Sequence, residues 1–295
     1  MKILITGGTG YLGLRLVEYF AKNKKCKIFV TSRKRNQRHV PKTEKTFLLS
    51  NNESNLPPLK GLNLIIHAAG PNASQAKQNP KKEITESKNI TKKIIKYAIE
   101  NNVGKMIYIS TAHIYKSPLL GTLGERSKAK NNHPYAISNL IGEQEILIAN
   151  KTRNLNGVIV RLSNAFGRPV SKSNDCWSLL INDITRQIVS TKKIYLKGKG
   201  NEKRDFISIE NTCRALEHIY KIKTKRMIFN VGGNWTPTIY EISKLVSRRY
   251  KKITGFDSEI LFKMTNRKEN PKHINFLNYK IENLLNSGFK LKNQS

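Results

Sequence analysis

Short apolar runs alternate along the chain with stretches whose apolar residues recur at helical spacing. Lys2–Thr6 predicts a strand, Leu12–Lys22 a helix and Lys27–Thr31 a second strand. Thr46–Leu49 is a weaker third strand and Leu62–Ala68 a strong fourth. Over Ile84–Asn101, residues Ile90, Ile94, Ile95, Ala98 and Ile99 follow a helical period, and Lys105–Ser110 then predicts another strand. A helix over Pro134–Ala149 opens on proline, which its first turn tolerates because that N–H has no helical partner. Gly157–Leu162 is the next strand. Leu64-Ile65-Ile66 and Val158-Ile159-Val160 are apolar on both faces, as parallel strands covered by helices on either side must be. The alternation predicts an α/β fold with a doubly wound parallel sheet.

After Leu162 the rhythm loosens. Gly, Pro and Asn gather at 166–174, 197–203 and 231–237, and 263–295 is polar with short apolar anchors. This predicts a smaller, partly irregular C-terminal domain, interleaved with a return of the chain to the sheet. Residues 1–165 and 203–234 are expected to form the sheet domain, and 166–202 with 235–295 the second.

Composition changes this picture little. Of 295 residues, 38% are hydrophobic and 25% charged, the balance of a globular chain. No apolar run nears the ~18 residues of a membrane span. The start, Met1 to Gly7, reaches glycine too early for a secretory signal. Three scattered cysteines, Cys26, Cys176 and Cys213, predict neither a disulfide framework nor a zinc site and fit a reducing cytoplasm. Net charge is the oddity: 54 Lys and Arg against 20 Asp and Glu give +34. The bases are dispersed, asparagine is abundant and aspartate occurs only at 175, 183, 205 and 257. A solvated surface that drifted in composition explains this better than a nucleic-acid footprint.

Chemistry enters at the first turn. Thr6-Gly7-Gly8-Thr9-Gly10-Tyr11-Leu12-Gly13 lies between the first strand and the first helix. Glycines at 7, 10 and 13 let the backbone approach a diphosphate, which the helix N-terminus stabilises. That context predicts dinucleotide binding. At the end of the second strand an NAD enzyme commonly holds an acid for the ribose hydroxyls. Here no acid occurs between Glu18 and Glu44, and the strand ends Thr31-Ser32-Arg33-Lys34-Arg35. A hydroxyl and guanidinium groups suit a 2′-phosphate, so NADP is favoured over NAD.

These residues, with His67-Ala68-Ala69-Gly70 after the fourth strand, resemble the extended short-chain dehydrogenase/reductases, the nucleotide-sugar epimerases, dehydratases and reductases. The resemblance continues through Tyr108-Ile109-Ser110-Thr111-Ala112-His113-Ile114-Tyr115 and His133-Pro134-Tyr135-Ala136-Ile137-Ser138-Asn139. It extends to Arg161–Pro169, Gly200–Ile207, Phe229–Gly233, Arg267–Pro271 and Ser287-Gly288-Phe289, in order over nearly the whole chain. It implies a Rossmann domain with a substrate domain, and hydride transfer on a nucleotide sugar. Tyr135 is then the acid/base, Thr111 bonds the same sugar oxygen, and Asn139 stands where the family has lysine. The implied cofactor residues are Gly7, Gly10, Tyr11, Leu12, Gly13, Ser32, Arg33, Asn51, His67, Ala68, Ala69, Gly70 and Ser87. The implied substrate residues, at the diphosphate, are Asn164, Arg204 and Arg267. Cys176-Trp177 is a sugar-pocket wall or a plain aromatic anchor. Arg204 has an alternative use as the ion-pair partner of Glu202 or Asp205, and Arg267 as a surface arginine. His67 reads as a packing or capping residue of the cofactor turn, not a metal ligand.

The Asn139 departure matters because a phenol near pKa 10 is a poor base at neutral pH, and an amide brings no full charge to a phenolate. Slow catalysis, a substitute lysine (Lys128 or Lys130) or lost catalysis all follow from it. Proton donation tolerates a high phenol pKa better than abstraction, which favours reduction over epimerisation. Competing with the enzyme are a catalytically impaired dinucleotide-binding scaffold or sensor and an RNA-binding derivative. The resemblance also implies a homodimer built on the tyrosine-bearing helix and its neighbour.

Overall fold

In the computed structural model, which describes residues 1–33, 40–50, 56–263 and 276–292, the apolar runs become strands and the periodic stretches helices. In chain order these are β1 (Lys2–Thr6), α1 (Tyr11–Phe20), β2 (Lys27–Ser32), β3 (Lys45–Leu48), β4 (Leu64–His67), α2 (Ala73–Gln78) and α3 (Pro80–Glu100). Then come β5 (Lys105–Thr111), β6 (Gly121–Leu123), α4 (Pro134–Thr152), β7 (Gly157–Leu162), β8 (Asn164–Phe166), α5 (Leu180–Thr191) and β9 (Lys193–Lys197). The last are β10 (Phe206–Ser208), α6 (Ile209–Lys221), β11 (Ile228–Val231), α7 (Ile239–Thr254), β12 (Glu259–Lys263), β13 (Leu277–Tyr279) and α8 (Glu282–Leu285).

Seven strands form one parallel sheet in the order β11-β7-β5-β4-β1-β2-β3. The chain winds from β1 outward to β3, then from β4 outward the other way. The C-terminal ends of β1 and β4 therefore flank the reversal, where such sheets open a crevice. Successive residues of β1 serve opposite cores: Ile3 and Ile5 face α1 and α6, while Leu4 faces α3 and α4. This double burial is why the run carries no polar alternation.

A third cluster, Ile184, Ile188, Ile194, Leu196, Phe206 and Ile242, is built mostly from α5, β9 and α7. This part of the chain is more regular than its glycines and asparagines predict. Ser208 caps α6 by accepting from Asn211 N, and Thr238 with Glu241 forms a capping box on α7. The tail also departs from the expected grouping. Leu277, Tyr279, Ile281, Leu284 and Phe289 are buried in the sheet's own core rather than with the third cluster. Tyr279 Oη donates to the Arg161 carbonyl at 2.7 Å, which anchors the tail to β7.

Candidate active site

The mouth at the end of β1 is shaped by close backbone approach. Gly7 has φ +67, and a Cβ there would lie 2.8 Å from the Ala68 carbonyl oxygen. A Cβ on Gly13 would lie 2.2 Å from the Gly7 oxygen, so α1 can sit this close to the turn only with glycine. Gly10 caps α1 without a side-chain bond, and the first turn holds no acid. The amides of Tyr11, Leu12 and Gly13 have no intrahelical acceptor there. Open amides at a positive helix end, approached closely because the turn is glycine, fit the diphosphate of a dinucleotide.

The facing wall comes from β4. The His67 imidazole is fully buried, with Nδ1 2.6 Å from Thr6 Oγ1 and Nε2 3.1 Å from Thr91 Oγ1. Burial pushes its pKa down to about 4. Its side chain is thus spent inside the wall, and the partly exposed residues above it are Ala68 and Ala69. Ala69 N donates to Thr6 Oγ1 at 3.3 Å, pinning that loop to β1. Ser87 is buried on α3, where its carbonyl accepts from Thr91 Oγ1 at 2.8 Å. Thr91 is absent from the sequence reading, although it lies one turn beyond Ser87. At the end of β2, Ser32 is buried and Arg33 exposed. Lys34, Arg35, Asn51 and Arg267 lie outside the described residues.

A strap from 167 to 175 reaches over this mouth. Tyr11 Oη donates to the Gly167 carbonyl at 2.6 Å, and Asn174 Nδ2 to the Thr9 carbonyl at 3.3 Å. Asn72 Nδ2 donates to Asp175 Oδ2 at 2.5 Å. Burial pushes the Tyr11 phenol up to about 12. Cys176 is buried beside this strap, and Trp177 Nε1 donates to the Lys172 carbonyl, closing its own loop.

Tyr135 stands in the first turn of α4, where His133 Nδ1 accepts its backbone N–H and caps the helix. Its phenol shares hydrogen bonds with the Thr111 and Asn139 side chains, yet burial outweighs both and holds its pKa above the ordinary value. Exposed Lys128 and Lys130 are not among the groups acting on it. Asn139 Nδ2 also donates to the Tyr135 carbonyl at 2.8 Å, so part of its donor capacity stays within the helix. One turn further, Glu143 forms a buried pair with Arg161 at 2.7 Å and accepts from Ser110 Oγ at 2.6 Å. Arg161 continues to Tyr115 Oη at 2.9 Å. This network ties α4 to β5 and β7 and so holds Tyr135 over the sheet. Arg161 opened a quoted motif, but its partner four residues beyond Asn139 carried no such signal.

On the substrate side, Asn164 Nδ2 donates to the Asp205 carbonyl at 2.8 Å, and Arg204 Nε pairs with Glu202 at 3.0 Å. Of the two acids weighed for Arg204, the chain uses Glu202. Asp205 is fully buried and accepts from Gly233 N at 2.9 Å and Trp235 N at 3.3 Å; burial pushes its carboxyl up to about 6. Burial and then the Arg204 charge hold the His113 imidazole below its usual pKa, and the sequence reading did not single out His113 although it lies inside the Thr111–Tyr115 motif.

The model of the NAD dependent epimerase/dehydratase family matches residues 3–232. A putative UDP-glucose 4-epimerase of Methanocaldococcus jannaschii is 22% identical over 270 residues, covering 88% of this chain and 85% of that protein. A dTDP-glucose 4,6-dehydratase of Streptomyces niveus is 24% identical over 156 residues, 53% of this chain but only 45% of that enzyme. Among solved structures, the UDP-N-acetylglucosamine 4-epimerase of Methanobrevibacter ruminantium M1, in complex with UDP-N-acetylmuramic acid, superimposes with TM-score 0.81 at 19% identity, covering 99% and 93% of the two chains. The UDP-glucuronic acid 4-epimerase of Bacillus cereus, in complex with UDP-glucuronic acid and NAD, gives 0.78 at 19% identity, over 97% and 92%. In the described residues no helix is long and apolar enough to cross a membrane.

Proposed function

The chain belongs to the NAD-dependent epimerase/dehydratase family, and on that premise we propose that it is an oxidoreductase or epimerase acting on the sugar of a nucleotide sugar. The observation that carries this reading is Tyr135, its phenol bonded to Thr111 at the C-terminal edge of the sheet that also bears the glycine mouth. The turn of Gly7 and Gly10, closed by the Gly10 amide on the Gly7 carbonyl, with the amides of Tyr11, Leu12 and Gly13 would hold the cofactor diphosphate, with Ala68, Ala69 and Gly70 along its flank and Ser87 behind. His67 serves that wall from inside. When bound, the nicotinamide supplies a reversible hydride acceptor. Tyr135 Oη exchanges a proton with the reacting sugar oxygen, and Thr111 Oγ1 bonds that oxygen and orients it. Asn139 holds the phenol in place without charging it. A phenol raised above pKa 10 keeps its proton at neutral pH, which suits donation and therefore reduction of a keto sugar.

NADP is the favoured cofactor, on the missing acid and on Ser32 and Arg33; Asn51 is assigned to the adenine side. Asn164, Arg204 and Arg267 take the substrate diphosphate, where a guanidinium fork donates in pairs. UDP-sugars lead the candidates because the solved neighbours hold UDP-N-acetylmuramic acid and UDP-glucuronic acid. The protein works as a cytoplasmic homodimer. Ile84 on α3 and Ile137, Leu140, Ile141 and Ile148 on α4 belong to none of the three cores and offer the apolar face.

A second reading, a dinucleotide-binding protein with impaired catalysis, is favoured by the Asn139 amide bonding back to its own helix. One experiment separates the two. UDP-, GDP-, CDP- and dTDP-sugars are incubated with NAD(H) or NADP(H), and products are read by mass spectrometry. Turnover is expected, stronger with NADP(H), and Tyr135→Phe should lower it at least ~100-fold. Cofactor binding without turnover on any sugar would leave the second reading standing.

A further inference from the structure

A row of side chains crosses the sheet beneath the glycine mouth. Thr6 and His67, the last residues of β1 and β4, are register partners, and His67 is in turn the partner of Tyr108 on β5. Register partners point to the same face of a sheet, and Tyr108 lies in the core between the sheet and α3 and α4. The row is joined along its length. Thr6 Oγ1 is 2.6 Å from His67 Nδ1, and the His67 and Tyr108 rings lie 5.5 Å apart between centroids. One end belongs to the mouth, because Thr6 leads into Gly7 and accepts from Ala69 N. The other end meets α4. Tyr108 Oη donates to the Asn139 carbonyl at 3.4 Å, and a Cβ on Gly142 would lie 2.1 Å from that oxygen and 2.4 Å from Cζ. The buried phenol therefore rests on bare helix backbone, one to two turns beyond Tyr135.

We propose that Tyr108, seated on Gly142, is a positioning residue for Tyr135: the Thr6–His67–Tyr108 row is a fixed spacer between the dinucleotide mouth and α4, and its reach sets how far the Tyr135 phenol stands from the nicotinamide. This rests on the reading of Tyr135 as the acid/base and adds what holds it at its distance. An apolar side chain fills such a space with no polar atom to satisfy, whereas a buried imidazole and phenol with all their partners fix one arrangement. The Glu143–Arg161 pair draws α4 toward β7, and Tyr108 is the stop it is drawn against. Hydride and proton meet on one sugar, so an ångström of error in that spacing costs on the order of a hundredfold in rate.

Two variants of the whole chain move the stop in opposite senses. Gly142→Ala sets a methyl against the phenol and lifts α4, while Tyr108→Leu shortens the row and lets α4 sink. Each is compared with the wild type by kcat on the nucleotide sugar that the wild type turns over fastest, and by fluorescence titration with NADPH. Both are expected to lose about tenfold to a hundredfold in kcat. The NADPH Kd and the sugar KM should stay within about threefold, because neither change touches the mouth or the diphosphate residues. The double variant, whose added methyl takes back part of the emptied space, should recover most of the lost kcat. A packing role alone lowers the melting temperature and leaves kcat per NADPH-binding site unchanged. That result in folded variants, or a double variant no faster than Gly142→Ala, overturns the inference and leaves the nucleotide-sugar reading in place. Should Gly142→Ala not fold, Tyr108→Leu decides by itself. If the wild type turns over no nucleotide sugar, that reading falls, and the spacing is read in crystals of the wild type and Tyr108→Leu with NADPH. A Tyr135 Oη displaced by about 1 Å relative to the nicotinamide supports the spacer, and an unmoved one overturns it.

Discussion

Asn139 lies one helical turn from Tyr135, near enough to bond both its phenol and its carbonyl, and it brings no charge to either. An ammonium at the same position would stabilise the phenolate through space and lower the phenol pKa. Asn139→Lys is therefore expected to raise turnover in the oxidising direction, where the phenol must take the sugar proton, by roughly tenfold to a hundredfold. The rate profile should also gain activity at lower pH. Steady-state kcat measured from pH 6 to about 9 checks this, and unchanged or slower turnover would count against the role given to Tyr135. The departure at 139 was visible in the sequence because a neighbouring motif framed it. What the amide does instead was not, since that depends on which acceptors the folded helix leaves within 3 Å.

At the scale of elements, α1 is a helix that must start at a turn with no room for side chains. Gly13→Ala adds a Cβ 2.2 Å from the Gly7 oxygen and 2.7 Å from the Gly8 Cα. Backbone cannot swing aside as a side chain does, so α1 has to move off the mouth. The expected cost is about 1–3 kcal/mol of stability, with at least a tenfold loss of dinucleotide affinity as the first-turn amides shift. Thermal melting and a fluorescence titration with NADPH measure the two effects. Undiminished affinity would separate the glycine turn from cofactor binding. Apart from α2 and β6, which the sequence analysis did not predict, the strands and helices up to β7 were legible because each is periodic within its own span, and their ends moved by at most four residues. Proline accounts for the largest shift: α3 starts at Pro80, which is at home in a first turn, ahead of the apolar period that opens at Ile84. For α6 and α7 the sequence analysis predicted no helix; their caps, Ser208 and the Thr238–Glu241 box, were established only by the structure.

For the whole molecule, the apolar stripe on α3 and α4 that belongs to none of the three cores predicts assembly. Ile148 is 53% exposed although it lies on a helix whose inner face is packed. Ile148→Lys should convert the dimer to a monomer in light scattering at micromolar concentration, leaving the fold intact by circular dichroism. A wild-type chain that is monomeric there refutes the dimer. The sequence by itself determined the parallel α/β sheet, the glycine turn at its mouth, the order of family motifs and the tyrosine that lacks its lysine. All of these are local: a period, a spacing or a residue type within some twenty positions. Tertiary structure alone decided that Thr6 and Thr91 enclose the His67 ring, that Glu143 meets Arg161 and that the tail joins the sheet's core. Such meetings join segments far apart in the chain, and the ionisation of each group depends on its burial and on the charges brought to it. Both arise only when the layers close, so a linear pattern holds no record of them.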